Sequence, residues 1–410
     1  MAILIPMPPT PIQIGWWRLV FRAKAPASED AVPMLYADYN ATTPLDPEVR
    51  AAMNEALDGT FGNPSSMHSA GQAARRLVDR ARAQVAALIG AAADEIVFTS
   101  GGTEADNLAV LGAAEAAAGK QIVASAVEHK AVLDPCAYLQ KQGRAVTLLP
   151  VDRDGRADLA ALEASAKPDV ALVSLMLANN DTGTIQPVAE AARIANACGA
   201  LMHTDAVQAA GKVPIDVKTL GVSLLSFSSH KIHGPKGVGA LFVRYGARLA
   251  SVFHGGRQER LLRPGTENVP GIVGFGKACD LARMRLENDA RRVAQLRDHF
   301  ETQVLARVGG TRINGGKDRL PNTSNIAFAG LDGEAMIINL DMMGMAVSTG
   351  AACSSADKTP SHVLLAMGQS VVEARSSVRF SFGRDTSDED IARAIELVVQ
   401  AVNLLRGVRP

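Results

Sequence analysis

The chain has 410 residues, enough for two or three domains at roughly 150 residues each and for a large buried core. Apolar residues make up 47% and charged residues 20%, an ordinary globular mixture that excludes disordered, collagenous and coiled-coil classes. Its 42 basic residues balance 42 acidic ones, so no global field is available to hold a polyanion, and nucleic acid is not an expected partner.

The uncharged run from Met1 to Trp17 carries Pro6, Pro8, Pro9 and Pro11, which break a helix, and no basic residue precedes it as in a secretory signal. Residues 1–33 are therefore expected to be a disordered, dispensable extension. From Ala70 to Ile89, Leu77, Val85 and Leu88 recur at helical spacing among Arg75, Asp79, Arg80 and Arg82, and Gly90 supplies a stop, which predicts an amphipathic helix. Short apolar runs then alternate with helical patterns: strands over 95–99, 121–126 and 145–151 are followed by helices over 104–118, 131–142 and 158–167. The rhythm continues with a strand over 170–177, a helix opening near Pro187, and strands over 201–204, 223–227 and 238–243. Such alternation predicts an α/β fold with a mostly parallel sheet covered on both faces. After about Ala278 come a charged helical region, strands over 324–328 and 378–382, a helix near 334–343 and a last helix over 388–405, as in a smaller α+β domain. No stretch of about twenty uncharged apolar residues suits a bilayer, so no membrane partner is expected. Cys136, Cys198, Cys279 and Cys353 lie far apart with no C-x-x-C pair, which speaks for a reducing, cytoplasmic setting.

In open α/β sheets ligands gather at the carboxyl ends of strands, and here those ends are rich in polar groups. Ser100 to Glu104, with Gly102 and Thr103, is a glycine turn into a helix, where free backbone N–H groups suit a phosphate. Later strand ends carry His129, Asn180, Asp205 with Gln208 three residues on, and Ser228, His230 and Lys231. One ligand accounts for the set: a phosphate for the Thr103 turn and Ser228, a cationic ring nitrogen for Asp205, an aromatic face for His129 and an aldehyde for Lys231. That ligand is pyridoxal phosphate. Zinc is the competing reading of His203, Asp205, His230 and His233, but no Cys adjoins them and no H-x-x-x-H pair is present. The glycines from Gly234 to Gly239 precede a strand instead of capping a helix, so they let the chain turn closely behind Lys231. Cys353 sits in the small, polar segment Ser348 to Ala356, where exposure permits reaction, whereas Cys136, Cys198 and Cys279 lie in apolar helical patterns and read as inert.

Taken in series, Tyr36–Pro44, Phe61–Ser66, Phe98–Glu104, Glu128–Lys130, His203–Gln208, Ser226–Lys231, Arg263–Asn268 and Arg379–Arg384 resemble the NifS-type cysteine desulfurases, class-V aminotransferase relatives of fold type I. The resemblance implies that Lys231 carries the cofactor and that Asp205, Gln208, Asn180, Gly102, Thr103, Ser228 and His230 help to bind it. It makes His129 the ring-stacking histidine, counted with Lys231 and Cys353 among the catalytic residues. It gives Asn180 and Arg379 the substrate carboxylate, Cys353 the substrate's sulfur, and Thr266 the cofactor phosphate of a neighbouring subunit in a homodimer with a shared active site. It further implies a large cofactor-binding domain over 47–287 and a small domain from 34–46 and 288–410 that carries the Cys353 loop. Four departures concern Asp181, Ser229, the loop Ser348–Ser355 and Pro264, and none removes a group the chemistry needs.

The reaction so implied takes L-cysteine to L-alanine and leaves sulfur as a persulfide on Cys353, for a scaffold protein that assembles iron–sulfur clusters. Selenocysteine lyase, another class-V activity and a cofactor-free scaffold are the alternatives. Gly211–Asp216 and Leu320–Phe328 resemble the nitrogenase-linked branch.

Overall fold

The computed structural model describes residues 34–117, 120–349 and 360–407. Contacts divide the chain into Met1–Met34 and Leu35–Pro410, and all the elements below belong to the second unit. Its strands are β1 (Leu35–Tyr36), β2 (Ile96–Thr99), β3 (Gln121–Ser125), β4 (Val146–Leu149), β5 (Val170–Ser174), β6 (Leu201–Asp205), β7 (Leu224–Ser228), β8 (Gly239–Val243), β9 (Thr311–Ile313), β10 (Thr323–Phe328), β11 (Met345–Ala346) and β12 (Ser377–Ser381).

Seven strands form one sheet in the order β2-β8-β7-β6-β5-β3-β4. β8 runs antiparallel to β2 and β7, and every other pair is parallel. The alternating side chains of these strands enter two cores. Leu172, Ile122, Leu224 and Leu241 pack with Leu108 and Val132 of helices Gly102–Ala116 and Lys130–Lys141. Their neighbours Val173, Val123, Leu225 and Phe242 face the other way, onto Val78, Val85 and Ile194 of helices Ser69–Leu88 and Val188–Ala197. Burial on both faces explains why the strands read as continuous apolar runs, and each fully buried Val, Leu or Phe is worth about 1.5–3 kcal/mol. The polar residues at the carboxyl ends thus stand on a rigid edge.

A second, antiparallel sheet has the order β12-β10-β9. Its core joins Phe328 and Phe380 to Phe300, Met336 and Val398, with Phe300 and Phe380 ring centroids 4.9 Å apart. Helices Gly333–Met342 and Asp388–Leu405 belong to this layer. The fold is therefore a large α/β layer with a smaller α+β layer.

The charged helical region expected after Ala278 is the second half of one helix, Val269–Arg307. Its first part, to Leu281, packs in the large core and Val293–Val304 in the small one, so residue 287 lies within an unbroken helix. Glycines near its start concealed it. A Cβ on Gly276 would come within 2.7 Å of Ala81 Cα, so this glycine permits a close crossing with helix Ser69–Leu88 instead of ending the helix. Helix Pro47–Gly59 and the short strands β1, β9 and β11 were not anticipated.

Candidate active site

The residues singled out at the strand ends converge. Gly102, Thr103, His129, Asn180, Asp205, Gln208, Ser228, His230, Lys231 and Arg379 line one cleft of about 300 Å³, with Asn40, Ala41, Asp106, Met176 and Val207 completing the wall. Thr266 is exposed and does not line this cleft. Cys353 lies outside the described residues.

Asp205 ends β6 and is 5% exposed, and its Oδ1 accepts from Val207 N at 2.8 Å. Burial raises its pKa to about 7, with Asp106 adding repulsion. Burial likewise raises Asp106 to about 7, and Glu128 goes well up, its Oε1 accepting from Met176 N at 2.6 Å. Beneath them His203 is clasped by Ser174 at 2.8 Å and Ser226 at 3.0 Å, and burial drops its pKa to about 4. His203 is thus a neutral, hydrogen-bonded core residue. Among the described residues no three His, Cys, Asp or Glu side chains are grouped to hold a metal ion.

Lys231 lies in a 3₁₀ turn, Ser229–Lys231, directly after β7. Its Nζ donates to Asn40 O at 2.5 Å and Ala41 O at 2.9 Å. A Cβ on Gly234 would collide with Ser229 Oγ, which is the close turn behind the lysine that the glycines foretold. His230 pairs through Nδ1 with Thr42 Oγ1 at 3.1 Å, and burial with the nearby lysine charges holds its pKa near 4. His129 caps the helix Lys130–Lys141, its Nδ1 accepting from Ala131 N at 3.1 Å. That contact orients the ring at the cleft.

Arg379, on β12, brings the small sheet to the site. Its Nη1 donates to Asn180 O at 3.0 Å and its Nη2 to Asp38 Oδ1 at 2.9 Å. The fork expected to hold a substrate carboxylate is engaged on Asp38 here, because β1 and its extension lie beside β12. Among the described residues of the cleft, Arg379 Nε and Asn180 Oδ1 are buried without a hydrogen-bond partner, and Asp106 Oδ1 has only His203 Nε2 at 3.5 Å. The helix Gly102–Ala116 starts at Gly101 with no side-chain cap, so its amide donors and positive dipole end face a contiguous lobe of about 420 Å³ lined by Thr103, Ser228, His230 and Lys236. Uncapped donors, two hydroxyls and the Lys236 cation for a phosphate, a buried carboxylate for a ring N–H and a lysine for an aldehyde fit pyridoxal phosphate.

Sequence reasoning missed Asn40. Its main-chain oxygen takes both Lys231 and Gln208, and its side chain bonds Thr323 and Asn322, tying the two sheets together at the cleft. Asp106, inside the helix Gly102–Ala116, and Lys212, in the turn after β6, were also passed over, since a lone Asp or Lys carries no local signal. Cys136 and Cys279 are buried, and burial pushes the Cys136 thiol up to about 12. Cys198, read as equally enclosed, is half-buried at a helix end, where its Sγ donates to Ala195 O.

Residues 35–394 match the family Aminotransferase class-V. The chain belongs to this family. It is 50% identical over 380 residues to a cysteine desulfurase of Cereibacter sphaeroides, covering 92% of this chain and 97% of that protein. The cysteine desulfurase IscS of Dictyoglomus turgidum is 46% identical over 379 residues, covering 92% and 96%. Among solved structures, a NifS-like protein superposes with a TM-score of 0.85 at 36% identity, covering 91% of this chain and all of that one. Membership makes the protein a pyridoxal-phosphate-dependent enzyme, in keeping with the resemblance read from its motifs. Among the described residues no helix is long and apolar enough to cross a membrane.

Proposed function

We propose that the protein is a cysteine desulfurase that converts L-cysteine to L-alanine and passes the sulfur, as a Cys353 persulfide, toward iron–sulfur cluster assembly. The observation that carries the reading is the meeting of Asp205, Lys231, His129, Asn180 and Arg379 in one cleft of a chain so similar to cysteine desulfurases.

Lys231 would hold the cofactor covalently, with Asp205 at the ring nitrogen, His129 on the ring face, Gln208 beside it, and Gly102, Thr103, Ser228 and His230 around the phosphate. When bound, pyridoxal phosphate supplies an electron sink for the bond broken at the substrate's α-carbon. The Lys231 amine would also serve as the base that takes the proton from the substrate's α-carbon and returns it. Asp205 keeps a proton on its cationic partner, and a cation there counters the burial penalty that otherwise raises the carboxyl's pKa. Asn180 and Arg379 hold the substrate carboxylate, Arg379 by exchanging Asp38 for it. Cys353, as thiolate, attacks the substrate sulfur. The S–S bond forms as the C–S bond breaks, its electron pair stays with carbon and is protonated, and no external oxidant is required.

Two tethers support Cys353 in this role. On one side of its segment Ser348 exchanges backbone hydrogen bonds with Arg379, at 3.2 and 2.6 Å. On the other, Ser361 Oγ donates to Asp181 Oδ2 at 2.5 Å and His362 Nε2 lies 2.9 Å from Glu128 O. Five residues reach roughly 17 Å, so a thiol five positions beyond Ser348 is within range of the cleft.

The proposal extends to a cytoplasmic homodimer in which Thr266 completes the partner's phosphate site, to a large domain over 47–287 with a small one from 34–46 and 288–410, and to a scaffold protein as acceptor. Supply to nitrogenase clusters is the preferred destination. The test is direct: purified protein should show the visible absorption of bound cofactor and release alanine and sulfide from cysteine in equal amounts with a reductant. Alanine without enzyme-bound sulfur, or a preference for selenocysteine with none for cysteine, would overturn it.

A further inference from the structure

Lys212 is a buried cation near the cleft that the chemistry above does not use. It lies in the turn after β6, and although the residue as a whole is half-buried its ammonium is turned inward. Nζ donates to Gln208 Oε1 at 2.9 Å and lies 3.5 Å from Asn40 Oδ1. No carboxylate forms an ion pair with it among the described residues, and its charged neighbours are Lys231 and Arg379. A second cavity of about 60 Å³, room for a few waters, is lined by Lys212 and Lys231, and its other titratable lining groups are Tyr39, His233, Asp289 and Arg384. Burial and these like charges bring Lys212 down to about 7.

An ammonium without a counter-ion is costly to enclose, so its retention requires a return. The geometry states it. Lysine can only donate, so the atom of Gln208 that faces Lys212 must be the amide oxygen, which obliges Nε2 to point the other way, onto Asn40 O at 2.9 Å and toward the cleft that Gln208 lines. The same Asn40 oxygen receives Lys231. We propose that Lys212 is a positioning residue for the active site, which locks the Gln208 amide with its donor side toward the cofactor and, holding its own proton more firmly when the Lys231 nitrogen is neutral, sets a positive charge behind Lys231 that disfavours protonation of that nitrogen. The proposal rests on Lys231 being the cofactor lysine.

The experiment uses K212Q and K212R in the full chain with cofactor bound and no substrate, following the visible absorption from pH 6 to 10 together with cofactor dissociation and the unfolding temperature. K212Q removes the charge. The midpoint of its spectral transition should rise on the order of one pH unit, and its cofactor should dissociate about tenfold more weakly. K212R, always charged, should keep the midpoint at or below the native value. An unchanged midpoint in a folded K212Q, or a K212R that rises, overturns the assignment. A purely structural role would lower the unfolding temperature and leave the midpoint in place. Should K212Q not fold, the K212R midpoint decides alone. Native protein without a cofactor band would refute the parent reading, whereas a native band with an unmoved midpoint refutes only this one.

Discussion

Replacing Asp205 by Asn keeps the shape of the side chain and its bond from Val207 N, and removes only the charge. In the cofactor-free protein burial and Asp106 hold Asp205 near 7 against an ordinary 3.8. A carboxyl whose folded pKa is raised stabilises the fold fully below its unfolded pKa, and that contribution is lost as pH rises through the folded one. About three pH units correspond to on the order of 4 kcal/mol, an upper bound because Asp106 competes for the same proton. Of this, about 2–3 kcal/mol should be lost between pH 5 and 8. D205N does not titrate, so the cofactor-free variant should gain that much relative to the native chain over the interval, measured by urea unfolding at both pH values. Its catalysis should move the opposite way. Without an anion at the ring nitrogen, one to three pH units of proton affinity are lost there, and turnover of cysteine to alanine should fall by between about 10- and 1,000-fold. A variant that desulfurates within threefold of native, with the native pH slope of stability, would refute both the placement of Asp205 at the ring and the origin of its shift.

Lys231→Ala should lose both turnover and the visible cofactor band, whereas Cys353→Ala should keep the band and make no persulfide, as read by absorption and by intact mass after cysteine addition. Mixing Lys231→Ala with an inactive Thr266→Ala variant should restore activity if subunits share the site, because one hybrid site then has both residues, and no recovery after proven subunit exchange counts against sharing. Glu259→Ala should cost about 3–5 kcal/mol in urea unfolding. It strips Arg82 of a buried two-point partner at 2.7 and 2.6 Å and leaves Phe98 N unbonded, just ahead of the Gly102 turn. A loss under about 1 kcal/mol would mean that water replaces the carboxylate.

Much of the large layer was legible because its strands and helices are regular and separately buried. The runs at 170–177 and 223–227 are apolar since both faces of β5 and β7 meet helices, and burial is a property that local sequence records. Strand ends were legible for the same reason: where an apolar run stops, the next polar residues must stand at the sheet's edge, which groups Asp205, Ser228 and Lys231 from the sequence itself. The glycines behind Lys231 pointed to a close turn, and Gly234 against Ser229 is that turn.

Tertiary structure alone decided what depends on contacts between distant positions. Asn40 became the hub of the cleft through bonds to Gln208, Lys231, Asn322 and Thr323, all more than 160 residues away, and no local pattern encodes such a sum. The resemblance singled out Arg379 as a site residue, but its engagement with Asp38 follows from β1 lying beside β12. The long helix Val269–Arg307 was hidden because glycine reads locally as a breaker, while Gly276 serves a crossing with helix Ser69–Leu88. The protonation of Asp106, Asp205 and Lys212 also belongs to the fold, because a side chain's ordinary pKa is set by its chemistry and its displacement by the water and charges that packing removes or brings near.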